Sequence, residues 1–198
     1  MGRNRSAWAA TTALVVATLG VAVAPAEATT TTTAARTTQT TACPTGWGSG
    51  AETRSAATTK SVTDIRTGRH ACFDRMVVDV PGAGTSGLGY TVRYVSRLYQ
   101  DGSGRQIAVG GGAVIEVRVA APAYDPATGK PTYPAKAGQR LTGVDLTGYR
   151  TFRDARFAGS FEGDTQIGLG VRARLPFRVW VATDRIVVDV AHNWTGAR

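Results

Sequence analysis

Apolar and polar residues alternate in short runs through most of this chain, with Gly, Pro and Asp between the runs. A period of two is the signature of a strand with one buried face. It predicts strong strands over residues 73–80, 90–99 and 113–121, a short pair member over 106–109, and a closing set over 151–161, 165–181 and 185–190. Residues 47–54 read as an opening edge strand, and 62–66 as a short strand or turn. In 90–99, Tyr90, Val92, Tyr94 and Leu98 fall on one face. Pro176 should break the 165–181 run, because proline cannot donate to a ladder. Four prolines punctuate 122–148, which reads as a long surface loop crossing the domain. No stretch from residue 43 onward holds a helical period over three turns. The prediction is an all-β chain: one domain, a β-sandwich of two mainly antiparallel sheets.

One strand pattern occurs twice. Asp74-Arg75-Met76-Val77-Val78-Asp79-Val80 returns as Asp184-Arg185-Ile186-Val187-Val188-Asp189-Val190, identical at six of seven positions. Alternate Val, Met and Ile positions mark both copies as core strands. A carboxylate pair such as Asp79 and Asp189 is able to do acid–base work. Ion pairing with neighbouring strands is the simpler account, because Arg75 shares a face with Asp79 and Arg185 shares one with Asp189.

The N-terminus changes the picture of where this domain sits. Arg3 and Arg5 precede an uncharged run, 7–24, rich in Ala, Val and Leu, and Ala26-Glu27-Ala28 has small residues where a signal peptidase reads. This is the three-part pattern of a secretory signal over 1–28, with an uncleaved anchor as the competing reading. Cleavage lowers the net charge from +9 to +8 by removing Arg3, Arg5 and Glu27. In an exported protein that excess points to anionic envelope polymers, anionic lipid or an acidic partner rather than nucleic acid. Residues 29–42 are dominated by Thr and read as a disordered tether, leaving 43–198 for the folded domain. Cys43 and Cys72 form a disulfide by default in an oxidising compartment. It closes a loop of about 30 residues, worth roughly 3–4 kcal/mol on the chain-entropy account. Their spacing offers no metal site, and no cofactor is predicted.

Candidate chemistry is sparse. Gly82-Ala83-Gly84-Thr85-Ser86-Gly87 matches a dinucleotide fingerprint, but a strand follows it where the motif needs a helix. Neither His70 nor His192 has a nucleophile at a supporting spacing, so no catalytic residue is assigned. The most suggestive surface is Val171-Arg172-Ala173-Arg174-Leu175-Pro176-Phe177-Arg178-Val179-Trp180-Val181. Odd positions are apolar. Even positions place Arg172, Arg174, Arg178 and Trp180 on one side, a candidate ligand-binding stripe. A register shift of one at Pro176 breaks the stripe in two; the other competing readings are an edge strand kept soluble by charge, and a Trp180 that belongs to the core.

The two echoed strands, Gly112-Ala113-Val114-Ile115-Glu116-Val117-Arg118-Val119-Ala120-Ala121-Pro122 and Phe152-Arg153-Asp154-Ala155-Arg156-Phe157 together resemble the AMIN-like domain of exported actinobacterial proteins. The likeness covers residues 43–194. It implies kinship with the AMIN domain, a β-sandwich that localises cell-wall amidases and secretins by binding peptidoglycan. It supplies no catalytic residues. The expectation is a secreted, non-enzymatic module that binds a cell-envelope polymer. The alternatives are a partner-binding or inhibitory protein docked on an exported enzyme through a sheet edge, and a small hydrolase using both histidines.

Overall fold

The computed structural model describes Cys43 and residues 46–194. The predicted signal segment 1–28 and the Thr-rich tether 29–42 lie outside the described residues. No helix occurs among those described, and none therefore is long and apolar enough to cross a membrane.

Among the described residues eleven strands follow one another: β1 (Glu52–Arg54), β2 (Asp64–Arg69), β3 (Phe73–Asp79), β4 (Tyr90–Val95), β5 (Leu98–Tyr99), β6 (Gln106–Ile107), β7 (Ala113–Val119), β8 (Phe152–Phe161), β9 (Asp164–Val171), β10 (Phe177–Ala182) and β11 (Arg185–Ala191). A five-stranded sheet has the order β1-β4-β7-β9-β8, and a four-stranded sheet has the order β10-β11-β3-β2. All pairings within them are antiparallel. The predicted all-β sandwich is what the chain forms.

The core lies between the two sheets. Met76, Val78, Ile186, Val188 and Val190 face Ile115, Val117, Ile167 and Leu169, all fully buried. Each such aliphatic side chain contributes about 1.5–3 kcal/mol by leaving water.

Several expected strands turn out shorter, the opening edge strand 47–54 among them, and two do so for a clear local reason. The 90–99 run stops at Val95, and Leu98 leaves the main core. It enters the β5–β6 hairpin and packs with Ile107 and Ala158 on the outside of the five-stranded sheet. Gly168 and Gly170 of β9 permit this approach. A Cβ at Gly170 would lie 1.8 Å from the Gly110 carbonyl oxygen, and one at Gly168 would lie 2.4 Å from Leu98 Cδ2. The 165–181 run divides at Pro176 into β9 and β10, which belong to different sheets, so residues 172–176 carry the chain across the sandwich. Tyr94 holds that crossing. Its hydroxyl donates to the Leu175 carbonyl at 2.7 Å and accepts the Leu175 N–H at 2.8 Å. Burial pushes the Tyr94 phenol up.

The 122–148 segment is more than a surface loop. Tyr133 and Leu141 enter the main core. Residues 138–141 run along the β8 edge, where Leu141 N donates to Ala155 O and Phe157 N donates to Gln139 O. On the opposite flank, Gly48 bridges Phe177 of β10 while β1 pairs with β4. Cys43 and Cys72 are disulfide-bonded, with Cα atoms 5.3 Å apart.

The glycine-rich 82–87 run is a turn region after β3 and opens no helix. Its Gly84 N–H donates to Asp184 Oδ1 at 2.7 Å.

Candidate functional site: the outer face of the four-stranded sheet

The two echoed strands are neighbours. β3 and β11 pair antiparallel with Val77 opposite Val187, the middle residue of each copy. A shared seven-residue pattern paired about its own centre has a local pseudo-twofold relation. Position two of each copy therefore faces position six of the other: Arg75 opposite Asp189, and Arg185 opposite Asp79. These four side chains and the two central valines point away from the core, since Met76, Val78, Ile186 and Val188 point into it.

Asp189 and Asp79 are each shared by two arginines. Asp189 is fully buried. It accepts Arg75 Nε at 2.6 Å and Nη2 at 2.9 Å, Arg178 Nε at 2.9 Å, and Trp180 Nε1 at 3.3 Å. Asp79 accepts Arg66 Nε at 2.8 Å and Nη2 at 3.1 Å, with Arg185 Nε 3.5 Å away. That hydrogen bonding to Asp79 raises the Arg66 guanidinium above its ordinary value. Asp64, opposite Asp79 in the ladder, adds a third carboxylate, so four guanidiniums stand over three carboxylates and the face keeps a small positive excess.

Aromatic rings order the arginines. Arg178 lies 4.4 Å over Trp47, and Arg75 lies 5.1 Å over Phe73 and 5.3 Å over Trp180. His70 stacks on Phe73 at 4.5 Å. A ladder of Trp47, Arg178, Phe73, Arg75 and Trp180 thus runs over the buried Asp189. Cation–π contacts of this kind hold a guanidinium at a fixed tilt while its outer N–H groups stay in water.

A shallow recess of about 330 Å³ opens on this face, lined by Arg66, Thr67, Gly68, His70, Arg75, Val77, Trp180, Ala182, Arg185 and Val187. None of its lining residues is acidic. A larger recess of about 480 Å³ lies by Tyr94 and Gly111–Gly112, but its one charged residue is Arg174. That guanidinium is already engaged: it sits 4.8 Å over Tyr94 and donates to Ser49 Oγ at 3.2 Å and Ser49 O at 3.0 Å. The outer-face recess is the stronger candidate on chemistry, though the smaller in volume.

The predicted stripe is therefore two groups rather than one. Arg178 and Trp180 lie on the outer face of β10. Arg172 and Arg174 lie in the crossing before Pro176. Arg172 donates to the His192 carbonyl and to Asn193 Oδ1 at 3.4 Å, beside the end of β11. Even positions are the more exposed on either side of the break, but Leu175, Pro176 and Phe177 are all buried and the strand does not continue through them. Sequence pattern alone does not reveal Arg66, Arg75, Arg185, Trp47 or Gly68 as members of one surface. Only the pairing of distant strands assembles them.

The two histidines lie on opposite sides of β3. His70 is on the outer face. His192 is buried, with Nε2 3.1 Å from Asp74 Oδ1. Asp74 Oδ2 also accepts the N–H groups of Thr151 at 2.6 Å and Phe152 at 3.0 Å, which pins the start of β8 to β3. Among the described residues no hydroxyl or thiol is hydrogen-bonded to either imidazole. Nor does any group of three or more His, Cys, Asp or Glu there suit a metal ion.

A family model described as AMIN-like domain matches residues 60–192, more than half of the 198-residue chain. No curated protein matches, and no solved structure matches.

Proposed function

The chain belongs to the AMIN-like domain family, and from that premise we propose that it is an exported, non-enzymatic module that binds an anionic cell-envelope polymer through the outer face of its four-stranded sheet. The observation that carries this reading is the excess of arginine on a face that also presents Trp180: Arg66, Arg75, Arg178 and Arg185 stand over Asp64, Asp79 and Asp189. Arginine forks match carboxylate and phosphate oxygens, and an exposed indole stacks on sugar rings. The disulfide fits the oxidising side of a membrane. Of the four residues of the predicted stripe, Arg178 and Trp180 stay in the proposed surface, while Arg172 and Arg174 brace the chain crossing.

Docking on an exported enzyme through a sheet edge is the alternative; this chain lays its own residues along the β8 and β10 edges, which narrows that reading to β1 and β2.

The test is co-sedimentation with purified peptidoglycan and with teichoic acid. Binding is expected at low salt and should weaken steeply as added salt shortens the screening length to about 10 Å at 0.1 M. Replacing Arg66 and Arg185 together by Ala should remove most of it, and replacing Arg172 and Arg174 should remove little. Failure to bind either polymer at low salt overturns the proposal.

A further inference from the structure

The outer-face recess has a shape that a general basic patch lacks. Trp180 and Arg66 stand in one cross-strand row, with Val187 and Val77 between them. Three strand spacings separate their backbones by about 14 Å. The two valines make an apolar floor, 2% and 6% exposed. In the next row Gly68 sits beside Arg75 and contributes no side chain. A Cβ there would meet only His70 Nε2, at 3.7 Å. The recess is thus notched at Gly68, floored by hydrocarbon, and walled by an indole on one side and guanidinium groups on the other.

The donors in this recess are only partly used. Arg66 spends Nε and Nη2 on Asp79, which leaves Nη1. Arg185 makes no hydrogen bond among the described residues and stands 3.5 Å from Asp79. Trp180 is 37% exposed, and its ring is fixed by Asp189 and Arg75. Charged donors opposite an aromatic wall, over an apolar floor, suit a ligand with an anionic group on one side and a flat hydrocarbon face on the other. A volume of about 330 Å³ is at the small end for such sites.

We propose that this recess is a subsite for a single anionic sugar unit. Its carboxylate or phosphate is held by Arg66 and Arg185, and its ring lies over the valine floor against Trp180. This rests on the polymer-binding reading above and adds the unit recognised.

The test titrates the purified protein with four probes: N-acetylmuramic acid, N-acetylglucosamine 1-phosphate, neutral N-acetylglucosamine and inorganic phosphate. The readout is the Trp180 indole N–H resonance, assigned by its loss in Trp180→Phe. One or both anionic sugars should shift it saturably, at least about tenfold more tightly than the neutral sugar or inorganic phosphate. Which anionic sugar binds separates a carboxylate source from a phosphate source. Gly68→Val, which fills the notch without changing charge and suits a strand, should weaken that binding about tenfold with little change in melting temperature. Inorganic phosphate binding as tightly as the sugars, no response to either anionic sugar, or wild-type affinity in a folded Gly68→Val overturns the subsite. If Gly68→Val does not fold, the comparison of probes on the wild-type protein still decides. Polymer co-sedimentation that persists after any of these results leaves the broader reading standing.

Discussion

Asp189 and Asp79 occupy the same position in two copies of one pattern, yet their surroundings differ. Asp189 is fully buried under Arg75, Arg178 and Trp180, whereas the Asp79 side chain is 18% exposed beside two arginines that are nearly half exposed. A buried carboxylate that loses its charge strands its partners, while an exposed one does not. Asp189→Asn should therefore cost roughly 3 kcal/mol in urea denaturation, and Asp79→Asn under about 1 kcal/mol. Equal losses would refute the distinction. Local alternation is enough to place Arg75 and Asp79 on one face and to expect ion pairs there. It does not reveal that Arg75 bonds to Asp189, which lies 114 positions away. That partner is set by strand register, which a window of a few residues does not contain.

Strands as units were legible where the alternation is long, as in β3, β7 and β11. They were misread where tertiary contact overrides local pattern. Leu98 has the right parity to continue the β4 face, but Gly168 and Gly170 leave an open track on the outside of β9, and the hairpin settles there. The two glycines differ in what they tolerate. At Gly170 an added methyl meets a backbone carbonyl, which cannot move aside, whereas at Gly168 it meets the tips of Leu98 and Val109. Gly170→Ala should cost about 1–3 kcal/mol and speed amide hydrogen exchange in β5 and β6. Gly168→Ala should cost less and leave that exchange closer to wild type. Similar exchange rates in the two variants would show that the hairpin does not depend on this close approach. In the candidate stripe, a break in two at Pro176 is legible from the proline alone, but the change of sheet that accompanies it is not, and it sends Arg172 and Arg174 to a different place from Arg178 and Trp180.

A sandwich was legible for the whole molecule, but its closure was not. Isolated residues such as Tyr133 and Leu141 carry no period, and only packing shows that they belong to the core. The other flank is closed by Glu52 of β1, whose Oε2 accepts the Val179 N–H of β10 at 3.0 Å and so ties one sheet to the other. Burial is the larger influence on this carboxyl and raises it above its ordinary 4.5. The folded form then holds the proton more tightly than the unfolded chain, so this group's contribution is greatest below about pH 4.5 and is lost as pH rises through the raised value. Glu52→Gln keeps an acceptor without the titration. Its stability relative to wild type should rise between pH 4 and pH 7, and a pH-independent difference would contradict the burial account. The pairing of β3 with β11 also sets an order of events in time. β3 emerges early in synthesis, but its neighbour β11 is the last of the described strands to be made. Until residue 191 is available, β2 and β3 form only a two-stranded ribbon, too little to persist in water. Loop closure over such a separation is slow compared with local pairing. The four-stranded sheet therefore closes only once β11 has been made, an order compatible with the export proposed above.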